Sequence, residues 1–418
     1  MDDRNYKKNI AVIGGGASGM TAAIFASKNK DCKVTIFERN DQLGKKILST
    51  GNGHANITNK ELLNISEDNV NHYYHTDAPD KLCKLWGRFG YSQIVDFFED
   101  LMIKTMDKNG YIYPYSNQAI SVLDAFVNRI ENTSNIEVLL NTKINNIKKT
   151  EKGYALYYKK SDFRLFDAVI LCGGGSAFPK SGSDGTSFYL LDCLNIKYNK
   201  IFPALCECNN NDLSSAAGIR CQVSLYAGKK GKRVSDIYEG ELQINKESIS
   251  GIVVFQVSSV VSRLISNSQE AYIYIDFLKD FSTDEVITYI SDKSEKYSDM
   301  NISHLFDTIL PIKLTEALLE KANLKNVKIS DISYEELISF INNIKCCEFR
   351  VNSVADFEKA QTSTGGIELN AVDDTMQLKY LEDFYACGEV LDVDGICGGY
   401  NLSFAFASGA IAGMEVAK

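Results

Sequence analysis

The run Gly14-Gly15-Gly16-Ala17-Ser18-Gly19 has G-x-G-x-x-G spacing, and Glu38 follows it after about 20 residues. Such glycines allow a tight turn (Gly14), close approach of backbone N–H groups to a diphosphate (Gly16) and close helix-on-strand packing (Gly19). Ala17 and Ser18 then open a helix whose first amides face the diphosphate. The Glu38 carboxylate, with Arg39 beside it, would accept hydrogen bonds from ribose hydroxyls and repel a 2′-phosphate. A second group of candidates lies in the loop from Gly44 to Asn59, which is too rich in Gly, Asn and Thr to be a core segment. Its Lys45, Lys46, Gly51, Asn52, Gly53 and Asn56 offer donors and acceptors to a planar ring.

The choice between nicotinamide and flavin dinucleotides rests on the C-terminal segment. A strand ending in Gly388-Glu389, with Asp394 beyond it, can reach a ribityl chain and phosphate. Gly399, Tyr400 and Asn401 then lead into a small-residue helix from Leu402, whose amino terminus suits a ring that gathers negative charge on reduction. FAD is therefore the expected cofactor. Gly173, at the end of another apolar strand, completes the cofactor set. A second G-x-G-x-x-G does not follow a later strand, so NAD(P)H is expected only as a transient electron donor.

Flavin chemistry sometimes needs one proton supplied by the protein. His54 in the Gly-Asn loop, Tyr111 and Tyr400 are the candidate catalytic groups. Tyr111, Tyr113 and Tyr115 alternate, which places all three on one face of an extended segment. Cys172, Cys387 and Cys397 flank the cofactor motifs but lack the CxxC spacing of a dithiol relay.

These groups need elements to hold them. Asn9 to Gly14 and Lys33 to Phe37 are predicted strands flanking a helix over Ala17 to Lys28. Helices are predicted over Pro79 to Phe89, Ser92 to Met102 and Ala119 to Asn132, a strand over Ile136 to Leu140, and hairpins from Gly153 to Phe166. The apolar run Asp167 to Cys172 ends at glycines, as a buried parallel strand does at its carboxyl edge. Beyond it, strands are predicted over Cys221 to Ala227, Ser235 to Ile244 and Ala271 to Phe277, and helices over Asp284 to Lys296 and Leu314 to Ala322. Phe384 to Cys387 and Leu402 to Val416 then return to the first pattern. The predicted class is α/β: a doubly wound, Rossmann-like FAD-binding domain (1–194 and 346–418). It is interrupted by a β-barrel-like plus helical, substrate-covering domain (195–345; β-rich over 195–280, helical over 281–345).

At 418 residues the chain suits two or three domains. The net charge of -9 argues against a broad nucleic-acid surface, and Lys229, Lys230, Lys232 and Arg233 fit a solvated hairpin tip. The 11 cysteines include no CxxC pair and fit reduced thiols in a cytoplasmic protein. The four histidines do not fall near cysteines at zinc-finger spacing, so no metal is expected. Apolar runs are far shorter than the roughly 18 residues of a membrane span, and Met1 to Lys8 is polar.

Six ordered motifs carry a family resemblance: GKKILSTGNGHANITN, GYIYPYSNQA, CGGGSAFPKSGSDG, FPAL, STGGIEL and CGEVLDVDGICGGYNLSFAFASGAIAG. Nearly end to end, the chain resembles the bacterial NAD(P)/FAD-dependent oxidoreductase family that includes aminoacetone-oxidase-like FAD enzymes and the bile-acid-inducible flavoprotein. The resemblance implies one noncovalent FAD and a small organic substrate. Within a family range from amine oxidation to reduction of conjugated ketosteroids, the expected activity is hydride transfer to an activated C=C of an enone or sterol-like molecule, using NAD(P)H. Oxygen-dependent oxidation of a small amine or alcohol is the alternative, and a non-enzymatic or RNA-associated flavoprotein is an alternative of another class. The chain departs from the family pattern at His54-Ala55, where Arg-Cys is common, at Tyr111, where Arg is common, and over Gln243 to Ile252.

Overall fold

A computed structural model describes residues 6–159 and 162–418. The first five residues of the polar amino-terminal segment and the turn of the hairpin expected within Gly153 to Phe166 lie outside that range. Two compact units result, Met1–Ile201 with Gln361–Lys418, and Phe202–Ala360.

In the first unit, strands β1 (Lys8–Ile13), β2 (Cys32–Phe37), β3 (Ile136–Leu139), β4 (Ala168–Leu171) and β5 (Phe384–Ala386) form one sheet in the order β5-β4-β1-β2-β3. All neighbours run parallel. Such a sheet has both faces covered, which is why β4 is an unbroken apolar run rather than an alternating one. Ile13 lies opposite Phe37 on one side and Leu171 on the other, and Leu171 lies opposite Ala386. Gly14, Glu38, Cys172 and Cys387, each one residue further on, therefore emerge together at the carboxyl edge. Helix α1 (Ala17–Ala26) carries the chain from β1 to β2, while β4 lies on the other side of β1. The crevice between these outgoing directions is the topological switch point where open α/β sheets bind ligands.

Helix α2 (Tyr400–Val416) packs against α1 so closely that both contacts require glycine. A β-carbon at Gly409 would lie 2.4 Å from the Ser18 carbonyl oxygen, and one at Gly413 would lie 2.3 Å from that of Ala22. Phe406 of α2 stacks on Phe126 at 5.9 Å and meets Phe98 edge-on at 5.1 Å. Burying each such ring stabilises the fold by roughly 1.5–3 kcal/mol. Among the described residues, no helix is long and apolar enough to cross a membrane.

The second unit is built on an eight-stranded antiparallel sheet. Its path runs through Cys347–Val351, Ala271–Asp276, Arg220–Lys229, Tyr238–Ile244, Ser248–Ser250, Cys208–Asn209 and Ser353–Val354, with Lys232–Arg233 paired to Arg220–Lys229. The first and last strands of that path are separated in the chain by Asn352 alone, so the sheet curls back on itself in a barrel-like manner. Phe349 lies opposite Ile273, which places Cys347–Val351 in this unit. The unit thus runs to Ala360 and starts at Phe202, rather than spanning the expected 195–345. A helix over Ile252–Ser266 lies within the segment expected to be β-rich and buries Val253, Val254, Val257 and Val261. The basic cluster forms a two-residue hairpin turn at Lys230 (φ 43°) and Gly231 (φ 75°).

Candidate active site

The phosphate end of the site follows from the β1–α1 turn. Gly14 has φ 103°, and a β-carbon there would sit 2.5 Å from the Cys172 carbonyl oxygen; one at Gly19 would sit 1.9 Å from that of Gly14. Both are closed to any side chain. Gly16 differs, because a β-carbon there would meet no atom within 4 Å. Open space therefore lies over the start of α1, where the first amides have no acceptor inside the helix, no side chain caps them and no acidic residue stands in the first turn. This is a cradle for an anion.

Glu38, only 7% exposed, closes the cradle's floor. Its Oε2 accepts the Gly15 N–H at 2.8 Å and its Oε1 accepts that of Asn40 at 2.8 Å. These donors hold the carboxylate at the edge of β2, where ribose hydroxyls would compete for its oxygens. Arg39 pairs with Asp184 and donates to Thr186 Oγ1 at 3.2 Å, and Asn40 donates to the Ser181 carbonyl at 2.9 Å. Burial raises the Asp184 carboxyl while hydrogen bonds from Thr186 and Arg39 lower it, and the net shift is downward. Next to this loop stand Gly173 and Gly174, whose β-carbons would fall 2.4 Å from Ser187 Oγ and 2.9 Å from Ser183 Oγ. Both hydroxyls are buried without a hydrogen-bond partner among the described residues.

A charged cluster links the Gly-Asn loop to the C-terminal segment. Lys46 Nζ lies 2.6 Å from Glu389 Oε2. Glu389 Oε1 accepts Ser363 N–H at 2.9 Å and Ser363 Oγ–H at 2.8 Å. Gly175 is required beside them, since its β-carbon would be 1.9 Å from Ser363 Oγ. Lys45 instead pairs outward with Asp41 at 2.7 Å. The loop turns through Gly51 (φ 54°), Asn52 (53°), Gly53 (88°) and Ala55 (52°), a run of left-handed backbone that explains its composition.

Asn56 and the head of α2 meet directly. Asn56 is buried, its Oδ1 has no hydrogen-bond partner among the described residues, and a β-carbon at Gly399 (φ 92°) would lie 2.8 Å from that oxygen. Ser403 Oγ donates to Thr58 Oγ1 at 2.8 Å, and Asn59 Nδ2 to the Gly398 carbonyl at 3.0 Å. Leu402 is half-buried in the first turn. Asn401 is occupied locally, its amide bridging the N–H and C=O of Gly395 at 2.9 and 2.7 Å. Asp394 accepts from Thr364 Oγ1 and lies 3.9 Å from His75 Nδ1. Asp392 joins them within 4.8 Å, but its oxygens accept from Gly365 N–H and Asn199 Nδ2 at 2.9 Å each.

Of the proton-transfer candidates, Tyr111 and Tyr400 are brought together and His54 is not. The two rings flank Gly398, whose β-carbon would be 3.0 Å from Tyr111 and 3.1 Å from Tyr400. Tyr111 is 42% exposed and Tyr400 only 3%. Tyr400 stacks on Tyr73 at 5.3 Å and meets Tyr74 edge-on at 5.7 Å. Burial first, then Tyr73 and Glu61, push the Tyr400 phenol well above the usual range, so it stays protonated at neutral pH. Burial likewise raises Tyr73, helped by Glu61. His54 is exposed, and its Nδ1 lies 2.8 Å from the Asn117 carbonyl, which can only accept, so Nδ1 carries the proton. Ser363, Thr364, Asp184, Tyr73 and Tyr74 join the candidate site although spacing did not single them out; Ser363, Thr364 and Asp184 stand in the family motifs.

An open cradle at the head of α1, a buried carboxylate at the end of β2 and a long helix starting beside Asn56 fit FAD, and the chain is an FAD-dependent oxidoreductase. It belongs to the family described as the HI0933-like protein Rossmann domain, which matches residues 8–415. A 3-dehydro-bile acid delta(4,6)-reductase of Clostridium scindens is 33% identical over 416 residues, covering 98% of this chain and 99% of that protein. A ribosomal RNA dihydrouridine synthase of Haemophilus influenzae is 23% identical over 428 residues, covering 99% of each. Among solved structures, 3-ketosteroid delta1-dehydrogenase from Sterolibacterium denitrificans, in complex with 1,4-androstadiene-3,17-dione, shares the fold with a TM-score of 0.51. The two are 13% identical over 99% of this chain and 100% of that one.

Proposed function

We propose that this enzyme reduces a carbon–carbon double bond conjugated to a ketone in a flat, steroid-like substrate, with NADH or NADPH as the electron source. The observation that carries this is full-length 33% identity to a relative named for reducing such bonds in a 3-dehydro bile acid. A dihydrouridine synthase saturates the uracil 5,6 bond, which is also conjugated to a carbonyl, so two relatives with different substrates share one bond chemistry.

In this reading the first-turn amides of α1 hold the diphosphate, and Glu38 holds the adenosine ribose. Ser363 and Lys46 orient Glu389 toward the ribityl chain, and Asp394 lies beyond it. Asn56 and the first amides of α2 would hold the pyrimidine edge of the ring by hydrogen bonds. Bound FAD supplies the hydride. The protein then has to polarise the ketone and deliver one proton to the carbon next to it. Tyr111, 42% exposed, carries a phenol that can do both, whereas burial makes the Tyr400 phenol a weaker acid and the His54 Nε2, with the ring proton on Nδ1, can donate only from the imidazolium.

Anaerobic incubation of the holoprotein with NADH or NADPH and a 3-oxo-4,6-diene steroid tests the proposal. The expected product is heavier by two hydrogens per reduced bond. An untouched steroid, even with chemically reduced protein, would overturn it. The H. influenzae relative supports a second reading in which the reduced bond belongs to RNA uridine. Dihydrouridine formed in a ribosomal RNA transcript, with the steroid unchanged, would establish that reading instead.

A further inference from the structure

The carboxyl edge of the sheet brings together two thiols that the redox reaction does not use. Cys172 and Cys387 follow the paired residues Leu171 and Ala386 of adjacent parallel strands, and the Cys387 N–H donates to the Leu171 carbonyl at 3.1 Å. Their Sγ atoms stand 3.2 Å apart, with 4% and 0% of each residue exposed. They are 215 positions apart in the chain, which is why no CxxC spacing announces them. The pair is walled in by the cofactor turns. A β-carbon at Gly19 would lie 3.2 Å from the Cys172 β-carbon, and one at Gly388 would lie 2.6 Å from Ser18 Oγ. Gly173 and Gly388, the next residues along, are among the candidate cofactor glycines.

We propose that Cys172 and Cys387 are an oxidative modification site, a dithiol beneath the cofactor cradle that a peroxide or other two-electron oxidant converts to a disulfide. Both S–H bonds break and one S–S bond forms. Two protons and two electrons leave, and hydrogen peroxide that accepts them becomes two waters. Bonded sulfurs are about 2.05 Å apart, so the pair must close by roughly 1.1 Å from the observed 3.2 Å. That closure pulls the Gly173 and Gly388 turns together and deforms the cradle above them. Burial also makes the Cys172 thiol hard to ionise and slow to react while packed. The disulfide therefore forms slowly in the folded protein, and because it deforms the cradle it makes the pair a latch against FAD rebinding under oxidising conditions.

The test treats holoprotein and FAD-stripped protein with hydrogen peroxide, alkylates residual thiols after denaturation and identifies linked peptides by non-reducing mass spectrometry. The expected result is a peptide pair joined through Cys172 and Cys387, lighter by two hydrogens than the two thiols. It should form in stripped protein, weaken FAD rebinding and disappear with dithiothreitol. Cys387→Ala and, separately, Cys172→Ala should abolish the linked pair and keep FAD rebinding insensitive to peroxide. Exposed Cys346 reports that the oxidant was active. Both thiols recovered alkylated while Cys346 is oxidised would overturn the proposal. So would a disulfide that leaves FAD rebinding unchanged.

Discussion

Gly409→Ala should weaken FAD binding while lowering fold stability by at most about 2 kcal/mol. The new β-carbon would lie 2.4 Å from the Ser18 carbonyl oxygen, whereas ordinary contact begins at 3.4 Å, a shortfall of about 1.0 Å. Backbone cannot yield as a flexible side chain would, so α1 and α2 must separate by roughly that amount. Two stability effects then oppose each other: overpacking costs about 1–3 kcal/mol, and alanine gains about 1 kcal/mol over glycine inside a helix. The net loss is about 0–2 kcal/mol. Cofactor binding has no such offset, because Ser18 lies in the first turn of α1. A donor moved from about 2.9 to about 3.9 Å of a phosphate oxygen no longer makes a hydrogen bond. Each such bond to a charged acceptor is worth about 1.5–3 kcal/mol, so affinity should fall about 10- to 100-fold. Gly413→Ala is the matched control, since its β-carbon would be 2.3 Å from the Ala22 carbonyl, one turn further from the phosphate. It should cost similar stability and leave affinity near wild type. Flavin fluorescence titration and thermal melts of the stripped proteins measure both quantities. Equal affinity losses in the two variants, or none in Gly409→Ala, would refute the reasoning.

Three further outcomes are expected. Gly16→Ala should leave the melting temperature of stripped protein unchanged yet cut FAD affinity at least tenfold, whereas Gly14→Ala, at φ 103°, should lower both; calorimetry and titration distinguish them. Lys46→Met removes the 2.6 Å partner of Glu389 and should weaken FAD binding by about 1–1.5 kcal/mol, measured as a titration midpoint. Lys418 first, then Arg88, hold the Glu415 carboxyl below its ordinary value. Because the folded-state pKa is depressed, this stabilisation is full above the unfolded value of about 4.3 and is lost as pH falls below it. Urea melts of Glu415→Gln should therefore show about 0.5–1 kcal/mol less acid-induced loss between about pH 5 and pH 3 than wild type.

The cofactor turn was legible because glycine is demanded by backbone geometry: Gly14 and Gly19 are closed to any β-carbon and Gly16 is not. The small residues of the last helix, expected there for its amino terminus, also serve close packing on α1. Less visible was the helix over Ile252–Ser266, whose run of valines has a strand's propensity and is made helical by burial of one face. The strands over Cys347–Val351 and Ser353–Val354 are too short to declare which sheet they join, and only their partners Ala271–Asp276 and Cys208–Asn209 assign them. Contacts between distant segments were beyond reach for the same reason. Lys46 and Glu389, 343 positions apart, meet only because the two loops share the carboxyl edge. The tyrosines split likewise: alternation grouped Tyr111 with Tyr113 and Tyr115, but the fold sets it against Gly398 and Tyr400.

The most direct test removes the electron donor from the question. Holoprotein reduced anaerobically with dithionite and mixed with a 3-oxo-4,6-diene steroid should regain its oxidised flavin spectrum in a single turnover, with one reduced steroid bond formed per flavin. Flavin that stays reduced in the presence of the steroid, yet reoxidises promptly in air, would contradict the assignment and point to an oxidase.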